Sequence, residues 1–558
     1  MRTNLRIGEI LLERGYVTSA QMDEALAYQK EHRDKRVGQI LMELGFVSEQ
    51  QVLEALASRL EIEIIDVATL HVDLDAVALV DKELAEKNAF LPISMNEQTM
   101  ELVTNDPLNY FALEEVKQQT GCDLKILLSE EKPLRQAISY YFAEVSARKA
   151  ASQANVAFGM DDFDDFQLDD IDDVEEEAPI IHLLNSLVER AIKTNASDIH
   201  VEPFEREVKV RMRIDGVIMD YVTLQKKVHN PLIARIKIMS NLDIAEKRLP
   251  QDGHFRVKAE NGHVNVRVSV LPTVFGEKAV LRILNSSVRL DYSSQFGMNE
   301  YSYKQFLPLL NTPNGIIYIT GPTGSGKSTT LYMVLEHLKS NMVNISTIED
   351  PVEKNIYGIN QTQVNTIAGM TFDVGLRALL RQDPDIIMVG ETRDGETAGI
   401  SVRAAITGHL VLSTLHTNDA VSSIVRLEDM GVETYLIANS VVGIVAQRLM
   451  RKVCTNCVKE VEATEEEQMI LGTDVKFLKR GCGCTQCNNT GYRGRIAIHE
   501  ILPVDAQVRR MIAKRATAEE IENYARKELK MKTLRESAVE FVRAGISTME
   551  ELLKVTYN

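Results

Sequence analysis

The stretch IIYITGPTGSGKSTTLYMV, residues 316–334, restricts the fold more than any other part of the chain. Ile316 to Thr320 reads as a buried strand. It runs into Gly321-Pro322-Thr323-Gly324-Ser325-Gly326-Lys327-Ser328-Thr329, and a helical pattern begins at once. A strand that feeds a glycine-rich loop into a helix N-terminus belongs to a parallel α/β sheet. The glycines let successive backbone N–H groups converge on an anion, and the helix dipole strengthens their field. In this Walker A spacing Gly321 to Thr329 cradle the phosphates of a nucleoside triphosphate. Lys327 reaches the β- and γ-phosphates, and the Ser328 hydroxyl is a ligand for Mg²⁺.

Three further stretches should end at the same sheet edge. RQDPDIIMVGETRDGETA contains a strand, Ile386–Val389, that stops at Gly390-Glu391. Glu391 then lies where open α/β sheets collect their ligands, able to orient an attacking water or hold the Mg²⁺ shell. NISTIEDPVE closes a strand with Glu349, and LVLSTLHTNDA closes another with His416, in the place of a γ-phosphate sensor. The structural alternatives are an exposed strand-end carboxylate and a satisfied structural histidine.

The rest of the chain bounds these readings. At 558 residues it holds several domains. Its net charge of −18, with no Lys/Arg block, argues against nucleic acid as the main partner. No apolar run reaches the roughly 18 residues a membrane span needs, and charges interrupt the N-terminus where a signal peptide would be apolar, so direct membrane insertion is not expected.

The boxes above, with ASDIHVEP (196–203), RMRIDG (211–216), KRLPQDGHF (247–255) and RVSVLPTVFGEKAVLRIL (267–284), resemble the type II secretion and type IV pilus assembly ATPases over nearly all of 178–500. The resemblance implies a homo-hexameric, cytoplasmic ATPase lodged peripherally at an inner-membrane assembly machine, with the platform protein and cytoplasmic components as partners. It implies ATP with Mg²⁺ as cofactor and catalytic roles for Lys327, Glu391, Glu349 and His416. It also places Arg267 and Arg282 as arginines that a second N-terminal domain brings toward the phosphates. A DNA-moving P-loop ATPase and a nucleotide-binding signalling or scaffold protein without motor activity are the competing readings. A type II secretion pseudopilus is the alternative client.

Five of the six cysteines fall between 454 and 487. Cys454-x-x-Cys457 and Cys484-x-x-Cys487, with 26 residues between the pairs, are the knuckles of a tetrahedral, structural Zn²⁺ site, redox thiols being the alternative. Within the family resemblance this motif points to an extension rather than a retraction ATPase.

The chain opens by repeating itself. Residues 6–29 and 36–59 align without a gap, with 12 of 24 positions identical. Each copy reads as two short helices around a glycine stop, the second helix opened by a capping box at Thr18–Gln21 or Ser48–Gln51. A paired repeat suits a ligand of near two-fold symmetry, and cyclic di-GMP has that shape. The first copy would offer Arg6, Ile7, Gly8, Leu11, Met22, Leu26 and Gln29, the second Arg36, Val37, Gly38, Leu41, Val52, Leu56 and Arg59. The stretches resemble the tandem motif of the cyclic di-GMP-binding domain on MSHA-type pilus ATPases, with Arg59 standing where the motif has Gln. A helical repeat that merely docks another domain is the alternative.

The expected fold class is therefore multi-domain α/β. A tandem-repeat region (1–64) and a small α/β part (65–145) precede an acidic flexible linker (146–178), in which 161–177 carries 11 acidic residues in 17. A PAS-like α+β domain (179–295) and a RecA-like ATPase domain (296–558) follow, the latter including the zinc module (450–495) and C-terminal helices (500–558).

Overall fold

The computed structural model describes residues 6–556 except 33–34, 68–69, 71, 97, 158–177, 260–261, 285–294 and 341. The acidic segment 161–177 lies outside the described residues. The chain divides into two compact units.

The first unit comprises Met1–Ile283 with Cys454–Cys457 and Cys482–Gly491. It opens with α1 (Ile7–Glu13), α2 (Ser19–Glu31), α3 (Val37–Glu43) and α4 (Glu49–Leu60). α1 packs on α4 and α2 on α3, so each half of the repeat is completed by the other. Both capping boxes form, with the N–H groups of Thr18 and Ser48 donating to Gln21 and Gln51 Oε1 at 2.9 Å. α1 and α3 stop because Gly15 and Gly45 turn left-handed, at φ 70° and 72°. The next N–H in each case, Tyr16 or Phe46, then satisfies the carbonyl of Leu11 or Leu41 at 3.0 and 2.9 Å.

α5 (Leu74–Val77), α6 (Lys82–Asn88), β1 (Phe90–Asn96), β2 (Thr99–Thr104), α7 (Tyr110–Thr120), β3 (Asp123–Leu128) and α8 (Glu131–Ala157) follow. The sheet order is β1-β2-β3, antiparallel then parallel. α8 corrects the expected linker boundary, because residues 146–157 continue this helix. Leu134, Ile138, Phe142 and Val145 belong to the core of the small α/β part. Ala150, Ala151 and Ala154 belong to the core of the next domain. One helix thus spans two hydrophobic cores, which its alanine-rich second half permits by allowing close approach.

That domain holds α9 (Ala178–Lys193), β4 (Ala196–Pro203), β5 (Glu207–Ile214), β6 (Val217–Gln225), α10 (His229–Met239), β7 (Gln251–Ala259), β8 (Gly262–Thr273) and β9 (Gly276–Leu284), with sheet order β6-β5-β4-β9-β8-β7. α8 and α9 are locked by Arg190, which lies over the Tyr140 ring at 4.3 Å and pairs with Glu144 at 3.4 Å.

The second unit comprises Leu284–Val453, Val458–Gly481 and Tyr492–Asn558. Its elements are α11 (Glu300–Leu310), β10 (Gly315–Thr320), α12 (Lys327–Leu338), β11 (Ile345–Glu349), β12 (Asn360–Gln363), α13 (Phe372–Leu379), β13 (Ile386–Val389), α14 (Gly395–Ile406), β14 (Leu410–Leu415), α15 (Ser422–Asp429), α16 (Thr434–Ser440) and β15 (Val441–Val453). Then come β16 (Val458–Glu462), α17 (Glu465–Leu471), β17 (Phe477–Gly481), β18 (Tyr492–Pro503), α18 (Ala506–Ala513), α19 (Ala518–Lys527), α20 (Leu534–Arg543) and α21 (Met549–Thr556). Seven strands form one sheet, β12-β11-β13-β14-β10-β15-β18, parallel except for the β15/β18 pair. β10, β13 and β14 are buried along their whole length, as strands covered on both faces are.

The cysteine knuckles correct the sequence-based division. They group with the first unit rather than with the ATPase domain whose chain carries them. The turn Thr485–Cys487 packs on α8, where Tyr140 and Tyr141 lie close enough to feel Cys487 and Cys484.

Candidate functional site: the C-terminal edge of the parallel sheet

β10 delivers the glycine-rich loop between β14 and β15, with Lys327 as the first residue of α12. The loop is pressed against β15. A Cβ at Gly321, whose φ is 147°, would sit 2.3 Å from the Gln447 carbonyl oxygen, so only glycine fits. The Gln447 amide, 1% exposed, donates to Ser325 O at 2.9 Å and accepts from the Thr330 hydroxyl at 2.9 Å. Sequence reasoning missed Gln447. Its signal was a lone amide in the apolar run VVGIVAQRLM.

Lys327 is buried, and its ammonium donates to the carbonyls of Gly321 at 2.7 Å and Pro322 at 3.1 Å. Burial pushes its pKa down to about 8, with Glu391 acting in the opposite sense. A cation held this way gains by exchanging backbone carbonyls for phosphate oxygens.

β13 and β14 bring the other two groups to this edge. Glu391 pairs with Arg393, and its Oε2 lies 3.8 Å from His416 Nε2. Arg393 Nη1 also reaches Asp350 Oδ2 at 3.9 Å. Burial and then Lys327 hold the His416 pKa below its usual value, so the imidazole is neutral at pH 7 and can donate one hydrogen bond. Sequence reasoning missed Arg393, two residues past Glu391. Its partner Glu391 shows why a cation belongs there.

Glu349 stands apart from this group. It is 4% exposed, and both its oxygens accept bonds from the protein. Tyr332 donates to Oε2 at 2.5 Å, while Thr347 and Gln361 donate to Oε1 at 2.6 and 3.0 Å. The Tyr332 hydroxyl also accepts the Glu353 N–H at 2.9 Å, tying α12 to the loop after β11. In this conformation Glu349 is a buried anchor.

Arg267 and Arg282 lie on β8 and β9 of the first unit. Arg282 Nε donates to Asp198 Oδ1 at 2.9 Å, and Asp198 stays ionised despite burial because of that contact and the Ser197 hydroxyl. Asp198 and Glu202 alternate on β4 with His200 between them, and Glu202 takes Lys278 at 2.7 Å and Arg211. One face of β4 is thus a ladder of ion pairs.

The four cysteine sulfurs Cys454, Cys457, Cys484 and Cys487 are buried within 4.8 Å of one another, the spacing of a tetrahedral metal site, while Cys482 is exposed. Burial pushes the Cys457 thiol up and the Cys484 thiol to about 11. Burial also acts on Cys487, but the N–H groups of Cys484 and Gly491, 3.1 and 3.2 Å from its sulfur, outweigh it and lower its pKa. Four buried thiols within reach of each other fit a divalent cation that deprotonates them, and they leave no open coordination position.

In the opening repeat, Leu11 and Leu41 are fully buried and Met22, Val52 and Leu56 nearly so, whereas Leu26 is 42% exposed. A Cβ on Gly8 or Gly38 would meet Met22 at 3.2 Å or Val52 at 3.1 Å, so these glycines permit the close helix contact within each copy. The Arg36 guanidinium pairs with Asp106 and donates to Leu108 O at 3.4 Å, and Gln29 donates to Lys35 O at 3.0 Å. Arg6 occupies the N-cap position of α1, its N–H donating to Glu9 Oε2 at 2.7 Å, and Arg59 lies in the last turn of α4. Ile7 and Val37 pack at the edge of the repeat core.

A parallel sheet with a phosphate loop, a strand-end carboxylate and a facing histidine at the same edge defines a RecA-like P-loop nucleoside triphosphatase. The family described as Type II/IV secretion system protein matches residues 173–554, and the MshEN domain matches residues 60–148. The type IV pilus assembly ATPase PilB of Myxococcus xanthus is 39% identical over 98% of this chain and 98% of its own. The type II secretion system ATPase E of Vibrio cholerae is 42% identical over 81% of this chain and 91% of its own. The ATPase DotB of Yersinia pseudotuberculosis shares the fold, with a TM-score of 0.50 at 19% identity over 67% of this chain and 93% of its own. The chain belongs to the type II/IV secretion system family of ATPases. The MshEN match begins where the repeat ends, so residues 6–59 lie outside it.

Proposed function

We propose that this chain is the hexameric ATPase that powers extension of an MSHA-like type IV pilus, working in the cytoplasm at the inner-membrane platform. The juxtaposition of Lys327, Glu391 and His416 at one sheet edge carries the catalytic reading. The pilus reading is supported by a relative named for pilus assembly that matches end to end. A type II secretion pseudopilus is the second reading, favoured by relatives of 42–48% identity.

In this reading the backbone N–H groups of Thr323 to Thr329 hold the phosphates of ATP, Lys327 turns from its carbonyls to the γ-phosphate, and Ser328 would hold a Mg²⁺ ion that would screen the phosphate charge. Glu391 orients the attacking water, and His416 donates to the γ-phosphate as charge develops. Arg267 and Arg282 of the PAS-like second domain neutralise phosphate charge once Arg282 leaves Asp198. Glu349 supports the edge through Tyr332 and joins catalysis only when its protein donors release it. Cys454, Cys457, Cys484 and Cys487 hold a structural Zn²⁺. Cyclic di-GMP binds the opening repeat through Arg6 and Arg36, the latter exchanging Asp106 for ligand. Leu11 and Leu41 shape that site from beneath, and Leu26 is open to contact.

Two substitutions test the catalytic reading. Lys327→Ala should abolish ATP binding, and Glu391→Gln should keep binding and lose turnover. Wild-type turnover by Glu391→Gln would remove it from catalysis, and full specific activity in a strictly monomeric preparation would remove the ring.

A further inference from the structure

Glu500 is a carboxylate with no place in the chemistry above. It lies on β18 and is 5% exposed. Its Oε1 accepts the Ala420 N–H at 2.8 Å, and its Oε2 accepts the Leu534 N–H at 3.2 Å. Ala420 closes the loop that follows His416, and Leu534 is the first residue of α20. Burial, with Asp419 nearby, raises the acid to about 7. A carboxyl kept in so unfavourable a place is a cost to the fold, and it is offset by what the group holds.

What it holds is one end of the His416 loop. The other end is fixed by Thr320, the last residue of β10, whose hydroxyl oxygen accepts the Thr417 N–H at 3.0 Å and lies 2.6 Å from the Thr417 hydroxyl. Thr417 Oγ1 is in turn 2.7 Å from Ser423 Oγ at the start of α15. His416 thus opens a short loop that is pinned at Thr417 by the strand that carries the phosphate loop and at Ala420 by Glu500. The second oxygen of Glu500 ties that clamp to α20, which is also bound to β18 by the Ser537 hydroxyl donating to His499 O at 2.9 Å.

We propose that Glu500 is a positioning residue for His416, which couples the C-terminal helices to the γ-phosphate end of the nucleotide site. The proposal rests on the reading of His416 given above. It requires that Glu500 act on turnover through His416 and leave nucleotide capture by the phosphate loop intact.

The experiment is a double-mutant cycle on the full chain, reading kcat and KM for ATP in wild type, Glu500→Ala, Glu500→Gln, His416→Ala and the two doubles. Glu500→Ala should lower kcat about tenfold with KM within twofold of wild type. Glu500→Gln keeps one acceptor oxygen and should lower kcat about threefold. In the His416→Ala background either change should lower kcat no further. If the effects multiply, Glu500 acts independently of His416 and the proposal is overturned. Unchanged kcat in Glu500→Gln and Glu500→Ala also overturns it. A wild-type kcat in His416→Ala alone refutes the histidine reading itself, and with it any action of Glu500 through that residue. Where Glu500→Ala does not fold, the near-isosteric Glu500→Gln arm decides.

Discussion

The edge of the ATPase sheet and the opening repeat were both singled out by sequence motifs, yet they are built in opposite ways. At the sheet edge the motif residues are polar groups held by other polar groups. Lys327 rests on two carbonyls, and Glu391 and His416 stand 3.8 Å apart. In the repeat, apolar motif residues make the core, with Leu11, Leu41, Ala25 and Ala55 fully buried. A motif can thus mark chemistry or packing, and the two separate when one asks whether its side chains are polar groups gathered at an edge or apolar groups closed into a core.

Turnover separates the two regions most sharply. Glu391→Gln should lower kcat by about 10²–10⁴, the usual contribution of a positioned acid or base, with ATP affinity retained in a direct binding titration. The cysteine cluster resembles the sheet edge, since it gathers four groups that one cation can hold. Cys454→Ser or Cys487→Ser should abolish a stoichiometry of about one Zn²⁺ per chain in elemental analysis and loosen the segment around both knuckles in hydrogen exchange. Metal content unchanged in both variants refutes the assignment.

A third test concerns pH. The Glu500 acid is raised to about 7 in the fold, from 4.5. The folded state therefore binds the extra proton between these values, and the group's contribution to stability falls as pH rises through that window. Relative to Glu500→Gln, wild type should gain stability on the order of 3 kcal/mol as pH falls from 7 to 4.5. Taking the difference removes the opposite slope of the neighbouring His499, which burial holds down to about 3. A difference that is flat with pH, measured by denaturant unfolding, contradicts a buried acid.

Smaller effects belong to the repeat. Arg6→Ala and Arg36→Ala should each weaken cyclic di-GMP binding by one to two decades, roughly 1.5–3 kcal/mol, in calorimetry on the full chain with ATP binding intact. No heat with the wild-type chain at high micromolar ligand makes the repeat a docking module. Gly15→Ala meets no atom within 4 Å, so only its left-handed backbone resists the change. It should cost about 1 kcal/mol in thermal unfolding of the repeat and leave turnover alone.

The sequence by itself determined the elements whose signals are local. Strand, glycine loop and helix at 316–334, the capping boxes at Thr18 and Ser48, and the CxxC pairs each follow from neighbours within a few residues, where backbone geometry and short side-chain contacts dominate. Glu391 and His416 were legible because a parallel sheet gathers its strand ends on one side. Only the tertiary structure decided which partners meet across long stretches of chain. Glu349 is occupied by Tyr332 and Gln361, Gln447 braces the phosphate loop, and Glu500 reaches Ala420 from 80 residues away. The same holds for α8, which runs past the expected linker boundary because Ala150, Ala151 and Ala154 find a second core to enter. Such contacts depend on burial, where an unpaired polar group or an uncovered apolar face costs more than any local preference supplies, and burial is a property of the assembled fold.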